Sequence, residues 1–269
     1  MENNENKKPS VNKSIFSPNK VVALLAYVLI MFVIGTVLIY LVAFIFSSAN
    51  NVNFNDLLKA ISKSKDGYNV ELLPLGYAVQ GVTNFITYLL TFIIVVFYTR
   101  DSVKDDFDDV IKRRTTLGWL IPVMAIAFTG IAYLIDVLFS KIVPSSNNQN
   151  TIVDIMTSSA GPLMVICTII FAPVAEELVY RKCIFSLAKD KVGVFWCYII
   201  SIIAFALPHM VSTPIDNVGT WLLQSIPYFL SAFMLCGIYH LSRFNIYSTI
   251  LAHMFNNVLA VILVYGGQR

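Results

Sequence analysis

Seven stretches of this chain stay apolar long enough to cross a lipid bilayer, which leaves few folds open to it. They are Val21 to Phe46, Tyr77 to Tyr98, Leu117 to Phe139, Leu163 to about Tyr180, Val192 to Leu207, Trp221 to Tyr239 and Ile246 to Tyr265. A spanning helix takes roughly 20 residues (about 17–25), so the fourth and fifth stretches sit near the short limit. With 57% hydrophobic and 13% charged residues and a mean hydropathy of +0.71, the chain lies far outside the soluble range. The expected fold is therefore all-α: a polytopic helical membrane protein with about seven spans. The first stretch, 26 residues long, exceeds the ~7–15 residues of a signal-peptide core, and no clear cleavage site follows it. It is expected to stay in the mature protein.

Residues 1–20 are polar, rich in Asn and Lys and without periodicity, so they are expected to form a disordered tail, with residues 21–269 as one helical membrane domain. Alternating the spans from a cytoplasmic N-terminus puts thirteen of the nineteen Lys and Arg in the tail and the loops on that side, against five on the other. That asymmetry predicts N-terminus in, C-terminus out, in the cell membrane. The net charge of +3 is then a matter of orientation, and no nucleic-acid partner is implied. Phe54 to Lys63 could form a short interfacial helix in an outer loop. Residues 99–116, which mix five Asp with five Lys and Arg, are expected to be a solvated cytoplasmic turn. Asp136 lies near the outer end of its span and is taken as structural. Cys167, Cys183, Cys197 and Cys236 have no metal-type spacing and are expected to be free thiols.

Against this background one segment stands out: Phe171-Ala-Pro-Val-Ala-Glu-Glu-Leu-Val-Tyr-Arg181 places two carboxylates and a guanidinium in an apolar span. Each charge near a helix centre in hydrocarbon costs on the order of 2.5–3.5 kcal/mol by insertion scales, so these groups need partners, water or a task. Glu177 and Arg181 are four apart with the acid first, the favourable order for a helical ion pair. Glu176, rotated by about 100°, is left without a local partner. Pro173 has no N–H for the carbonyl of Ile169, so a kink is expected just before the acids.

Later spans add a small polar set. Phe205 and His209 are four apart with Pro208 between them, and His253 and Asn257 are four apart on one face of the last span. Each alone has a bland explanation, as an interfacial histidine or as an amide joining two helices; His240, beside Ser242 and Arg243, is taken that way. Together, an acid, two imidazoles and an amide are the parts needed to activate a water and stabilise an oxyanion.

Glu176-Glu177-x-x-x-Arg181, Phe205-x-x-x-His209 and His253-x-x-x-Asn257, in that order, resemble the three motifs of the CAAX-protease and bacteriocin-processing (CPBP/Abi) intramembrane proteases, which include type II CAAX prenyl endopeptidases. The Ala-Pro before the acids and the Ala-Leu-Pro-His around His209 also fit, while Tyr180 and Lys182 stand where Phe and Gly are frequent. The resemblance implies a protease core at about 163–265 with its catalytic cavity formed by the later helices. It implies that Glu176 activates water, His209 assists, and His253 with Asn257 forms the oxyanion site. Glu177, Arg181 and Phe205 would support them. The implied substrate is a membrane-associated peptide or protein, with bacteriocin or peptide processing or self-immunity as the associated role.

Three matters stay open in the sequence. The depths of Glu176, His209 and His253 agree if Arg181 to Lys191 and the start of the next span project as a hairpin, which would set the site in the cytoplasmic half. No cofactor is favoured, because no His-Glu-x-x-His is present, yet a zinc ion on His209, His253 and Glu176 or Glu177 is a possible variant. A non-catalytic scaffold that regulates a signalling partner is the rival reading, with a proton-coupled transporter third.

Overall fold

A computed structural model of the protein describes residues 17–63 and 67–267. Among the described residues there are helices and no strands, and seven helices are long and apolar enough to span: α1 (Pro18–Asn50), α3 (Val70–Lys112), α4 (Arg114–Phe139), α6 (Gly161–Lys189), α7 (Lys191–Met210), α8 (Val218–Leu241) and α9 (Ile246–Tyr265). Two short helices, α2 (Phe54–Ser62) and α5 (Asn147–Met156), lie in the connections. The protein is a polytopic all-α membrane protein, as its apolar pattern predicts.

The expected tail at 1–20 falls largely on residues 1–16, outside the described residues. Its last part is helix, because Pro18 is already suited to the first helical turn, where its missing N–H costs nothing. Lys20 Nζ donates to Ser186 Oγ on α6 at 3.0 Å, so it is a packing contact there. The expected interfacial helix is α2. Asn53 caps it by accepting from the N–H groups of Asn55 and Asp56, and it buries Leu57 and Ala60.

The largest departure concerns residues 99–116. Most of the stretch is exposed, as expected, but it is helix rather than a turn: α3 continues to Lys112, and α4 starts after a single residue. Asp106 is buried. Both of its carboxylate oxygens accept from Lys182 Nζ at 2.7 Å, and Oδ2 also accepts the Ile246 N–H at the start of α9. Asp109 is bonded by Arg113 and by Asn245 Nδ2, and Arg113 also donates to the Ser242 carbonyl. Among these mostly exposed charges Asp106 is the exception, paired with Lys182 on another helix, which sequence spacing cannot show.

α3 presents a row at four-residue spacing, Val79, Thr83, Thr87, Thr91, Val95 and Thr99, all buried. Thr91 and Thr99 return their hydroxyls to the carbonyls four residues back, at 2.7 Å each, so that the face shown to neighbours is methyl. α6 is the most buried of the seven spans. It begins tightly against α5, where a Cβ on Gly161 would lie 2.2 Å from the Met156 carbonyl oxygen. The four cysteines are free and buried.

Candidate active site

Helix α6 sets the site. Its central segment Ala172–Glu177 lies between two wider π-type turns, Cys167–Phe171 and Leu178–Cys183. The first absorbs the proline. With the Ala172 N–H bonded to the Cys167 carbonyl and no N–H on Pro173, the Thr168 carbonyl is left without a donor from the next turn. Asn257 Nδ2 supplies it at 2.8 Å. The carbonyl that finds an outside partner is thus Thr168, not the Ile169 expected from a regular α-helix, and the Ala-Pro before the acids helps to locate Asn257.

Glu176 and Glu177 then diverge. Glu177 is fully buried, and its Oε1 accepts from Arg181 Nη1 at 3.1 Å and from His253 Nδ1 at 3.0 Å. Arg181, also fully buried, donates to the Ala232 carbonyl and lays its guanidinium over the Phe205 ring at 4.5 Å. Glu176, 4% exposed, makes no hydrogen bond to any other described residue and lines the cavity. The helical ion pair inferred from spacing is therefore present.

Both imidazoles are held by their Nδ1. His209 Nδ1 lies 2.8 Å from the Phe205 carbonyl and His253 Nδ1 faces the Glu177 carboxylate; these oxygens only accept, so each Nδ1 carries the proton and Nε2 is the free nitrogen. Phe205 is the wedge between them, stacked on His209 at 4.9 Å and edge-on to His253 at 5.8 Å. Tyr228 closes the other side of His209 at 4.9 Å, and its hydroxyl pairs with Ser146 Oγ at 2.7 Å. The structure brings Glu176, Phe205, His209, His253 and Asn257 to one cavity of about 270 Å³. Glu177 and Arg181 stand behind it. Sequence reasoning missed Tyr228, whose only signal was an aromatic beside Pro227 in an apolar span.

The cavity descends from an exposed rim at Ser140, Pro144 and Ser145 to the buried floor at Glu176. Its walls come from the end of α4, the start of α8 and the end of α9. That is the end of the bundle opposite to Arg113, Lys189 and Arg243. At the expected hairpin around Lys191, Lys182 meets Asp106 on the part of α3 that continues past Tyr98, and Val192, Phe195 and Trp196 present exposed apolar surface. α7 breaks at Gly193, whose φ of 80° is the left-handed region that glycine tolerates.

Among the described residues no three His, Cys, Asp or Glu side chains are grouped so as to hold a metal ion. Of the zinc sets considered from sequence, the one with Glu177 has that carboxylate engaged with Arg181 and His253, whereas Glu176, His209 and His253 line one cavity. No step below passes through a metal.

Parts of the chain are similar to known proteins. The family described as type II CAAX prenyl endopeptidase Rce1-like matches residues 158–259. A Bacillus subtilis protein named "Putative membrane peptidase YdiL" is 28% identical over 188 residues, covering 68% of this chain and 72% of its own length. An uncharacterized protein of Mycoplasma capricolum is 25% identical over 234 residues, which is 82% of this chain but only 59% of that protein. No solved structure matches the chain. Glu176, Phe205, His209, His253 and Asn257, which the cavity brings together, all lie within residues 158–259, the stretch that matches the type II CAAX prenyl endopeptidase Rce1-like family.

Proposed function

We propose that this protein is an intramembrane endopeptidase that hydrolyses a peptide bond of a membrane-associated peptide or protein without a metal. The observation that carries the reading is Glu176, a buried carboxylate with no hydrogen-bond partner among the described residues, in a cavity shared with two imidazoles fixed by their far nitrogens. Glu176 takes a proton from water. His209, acceptor at Nε2, orients that water. The second amide proton of Asn257 and the Nε2 of His253 face the developing oxyanion. To donate there, the His253 ring carries a proton on each nitrogen, with the Nδ1 proton given to the Glu177 carboxylate. The family description names a CAAX prenyl endopeptidase, whose substrates end in a free carboxylate after a prenylated cysteine; peptide maturation or self-immunity are the cellular roles considered for this chain.

The test is peptide release from membranes that contain the native protein or Glu176→Gln, read by mass spectrometry with and without a chelator. Fragments that need Glu176 and persist in chelator support the reading, and fragments that vanish in chelator with stoichiometric zinc in the protein overturn its metal-free part. An unchanged profile for a normally inserted Glu176→Gln favours a scaffold.

Orientation belongs to the proposal. The excess of Lys and Arg at the Arg113 and Arg243 end favours a cytoplasmic location for that end and for the N-terminus, which turns the mouth outward. This replaces the cytoplasmic-half location considered from sequence. Because all four native cysteines are buried, single cysteines report cleanly: Ser145→Cys should react with an impermeant maleimide on intact cells, and Arg114→Cys only after lysis. The reverse pattern inverts the assignment.

A further inference from the structure

Hydrolysis as proposed leaves one position of the reacting water without a partner. A water that gives one proton toward Glu176 and the other to His209 Nε2, and turns one lone pair on the peptide carbon, keeps a second lone pair that only a donor can meet. His253 and Asn257 donate on the oxyanion side. A donor for that lone pair has to come from another wall.

Helix α3 supplies one. Its Phe85 and Phe92 both pack on Phe171 of α6, with ring centroids 5.8 and 5.2 Å apart, and Asn84 Nδ2 donates to Met164 Sδ at 3.8 Å. Tyr88, three residues after Phe85 and four before Phe92, shares their face. It is half-buried and lines the cavity together with Glu176, and of the ionisable side chains around its phenol Glu176 acts on it most strongly. Its hydroxyl makes no hydrogen bond to another described residue. Two other phenols, Tyr27 and Tyr180, also lie near Glu176, but their hydroxyls pair with each other at 3.1 Å and neither ring lines the cavity. A hydroxyl left unbonded in a membrane span is costly unless water or a ligand meets it, and a cavity that opens at an exposed rim admits both.

We infer that Tyr88 is a further catalytic residue, whose hydroxyl donates a hydrogen bond to the water that Glu176 activates and holds that water in line with the peptide carbon. The phenol keeps its proton throughout; the water's proton goes to Glu176. This rests on the hydrolytic reading, and it extends the site to α3, outside the stretch 158–259 that matches the family. The test offers the full chain in liposomes a pool of mixed-sequence peptides, half of them with a prenylated cysteine near the C-terminus, and takes kcat and KM on the peptides that are cut. Tyr88→Phe should lower kcat about tenfold and leave KM and the unfolding midpoint near native, as befits one neutral hydrogen bond made to the reacting water alone. Tyr27→Phe removes a buried hydroxyl close to the same carboxylate, and should lower the midpoint while kcat per folded molecule holds. Native kcat in Tyr88→Phe, where Glu176→Gln is inactive, overturns the inference and leaves hydrolysis standing. An equal loss of kcat in Tyr27→Phe, or a raised KM alone in Tyr88→Phe, also overturns it, because the phenol then shapes the wall without touching the water. A pool in which no cleavage depends on Glu176 overturns both this inference and the hydrolytic reading.

Discussion

The two ends of this helix bundle both hold charged side chains away from water, and they treat them in opposite ways. At the end where α3 meets α4 and α8 meets α9, Asp106, Asp109, Lys182, Arg113 and Asn245 are joined by hydrogen bonds that cross four helices. At the other end a cavity opens, and at its floor Glu176 has no such partner among the described residues. A satisfied buried network fixes helices relative to one another; a lone carboxylate beside free ring nitrogens holds no helix, and in the proposed function it acts on water. Glu176 and Glu177 repeat the contrast one residue apart.

Substitution at these adjacent acids tests the contrast hardest. Glu176→Gln should lower turnover by about 10²–10⁴, the usual worth of a general base, while the unfolding midpoint in detergent stays that of the native protein. A large loss of stability there would mean that Glu176 also holds the bundle, and the distinction would collapse. Glu177→Gln should do the reverse first. It strips Arg181 and His253 of their shared carboxylate, and an unpaired buried charge typically costs about 3–5 kcal/mol.

Lys182→Met carries the same test to the far end. Its ammonium and the Asp106 carboxylate are each about an eighth exposed, at 13% and 12%, so losing the pair should also cost about 3 kcal/mol of stability. Specific activity, corrected for the folded fraction, should be unchanged. If activity falls while the midpoint holds, this network reaches the chemistry, and the two ends are less separate than their hydrogen bonds suggest.

Much of the cavity floor was legible in the sequence because its members lie on helices, where spacing fixes which side chains share a face. The Glu177 to Arg181 pair and the shared face of His253 and Asn257 follow from a four-residue step, and seven long apolar runs give the fold class. What escaped depends on contacts between helices. Asp106 and Lys182 are 76 residues apart, so the 99–116 stretch looked like a solvated turn when it is helix with a buried anchor. The depth argument treated α6 and α7 as regular rods, whereas α6 has two wide turns and α7 breaks at Gly193.

Asn257 sits between the two kinds of region, since one of its amide protons is structural and the other faces the cavity. Asn257→Ala should lose about 10²–10³ in turnover for one oxyanion donor, along with ~1–3 kcal/mol for the Thr168 carbonyl it abandons. Asn257→Asp keeps the size and loses both donors, so the midpoint reads the structural proton and turnover per folded molecule reads the one that faces the cavity. If turnover survives in Asn257→Asp, the amide serves only the helix, and the floor of the cavity contains one group fewer than proposed.

The smallest effect is expected at the rim, where the contrast is least sharp. Tyr228 presses its ring on His209 and ties its hydroxyl to Ser146 and Asn148, so it serves both the site and the loop above it. Tyr228→Phe keeps the ring and removes the tie. Stability should fall by about 1 kcal/mol, the ordinary worth of such a bond, and KM should rise with kcat unchanged as the 144–149 segment loosens over the mouth. A fall in kcat at constant KM would instead bring the phenol hydroxyl into contact with the reacting atoms, and would extend the reactive region from the floor up to the rim.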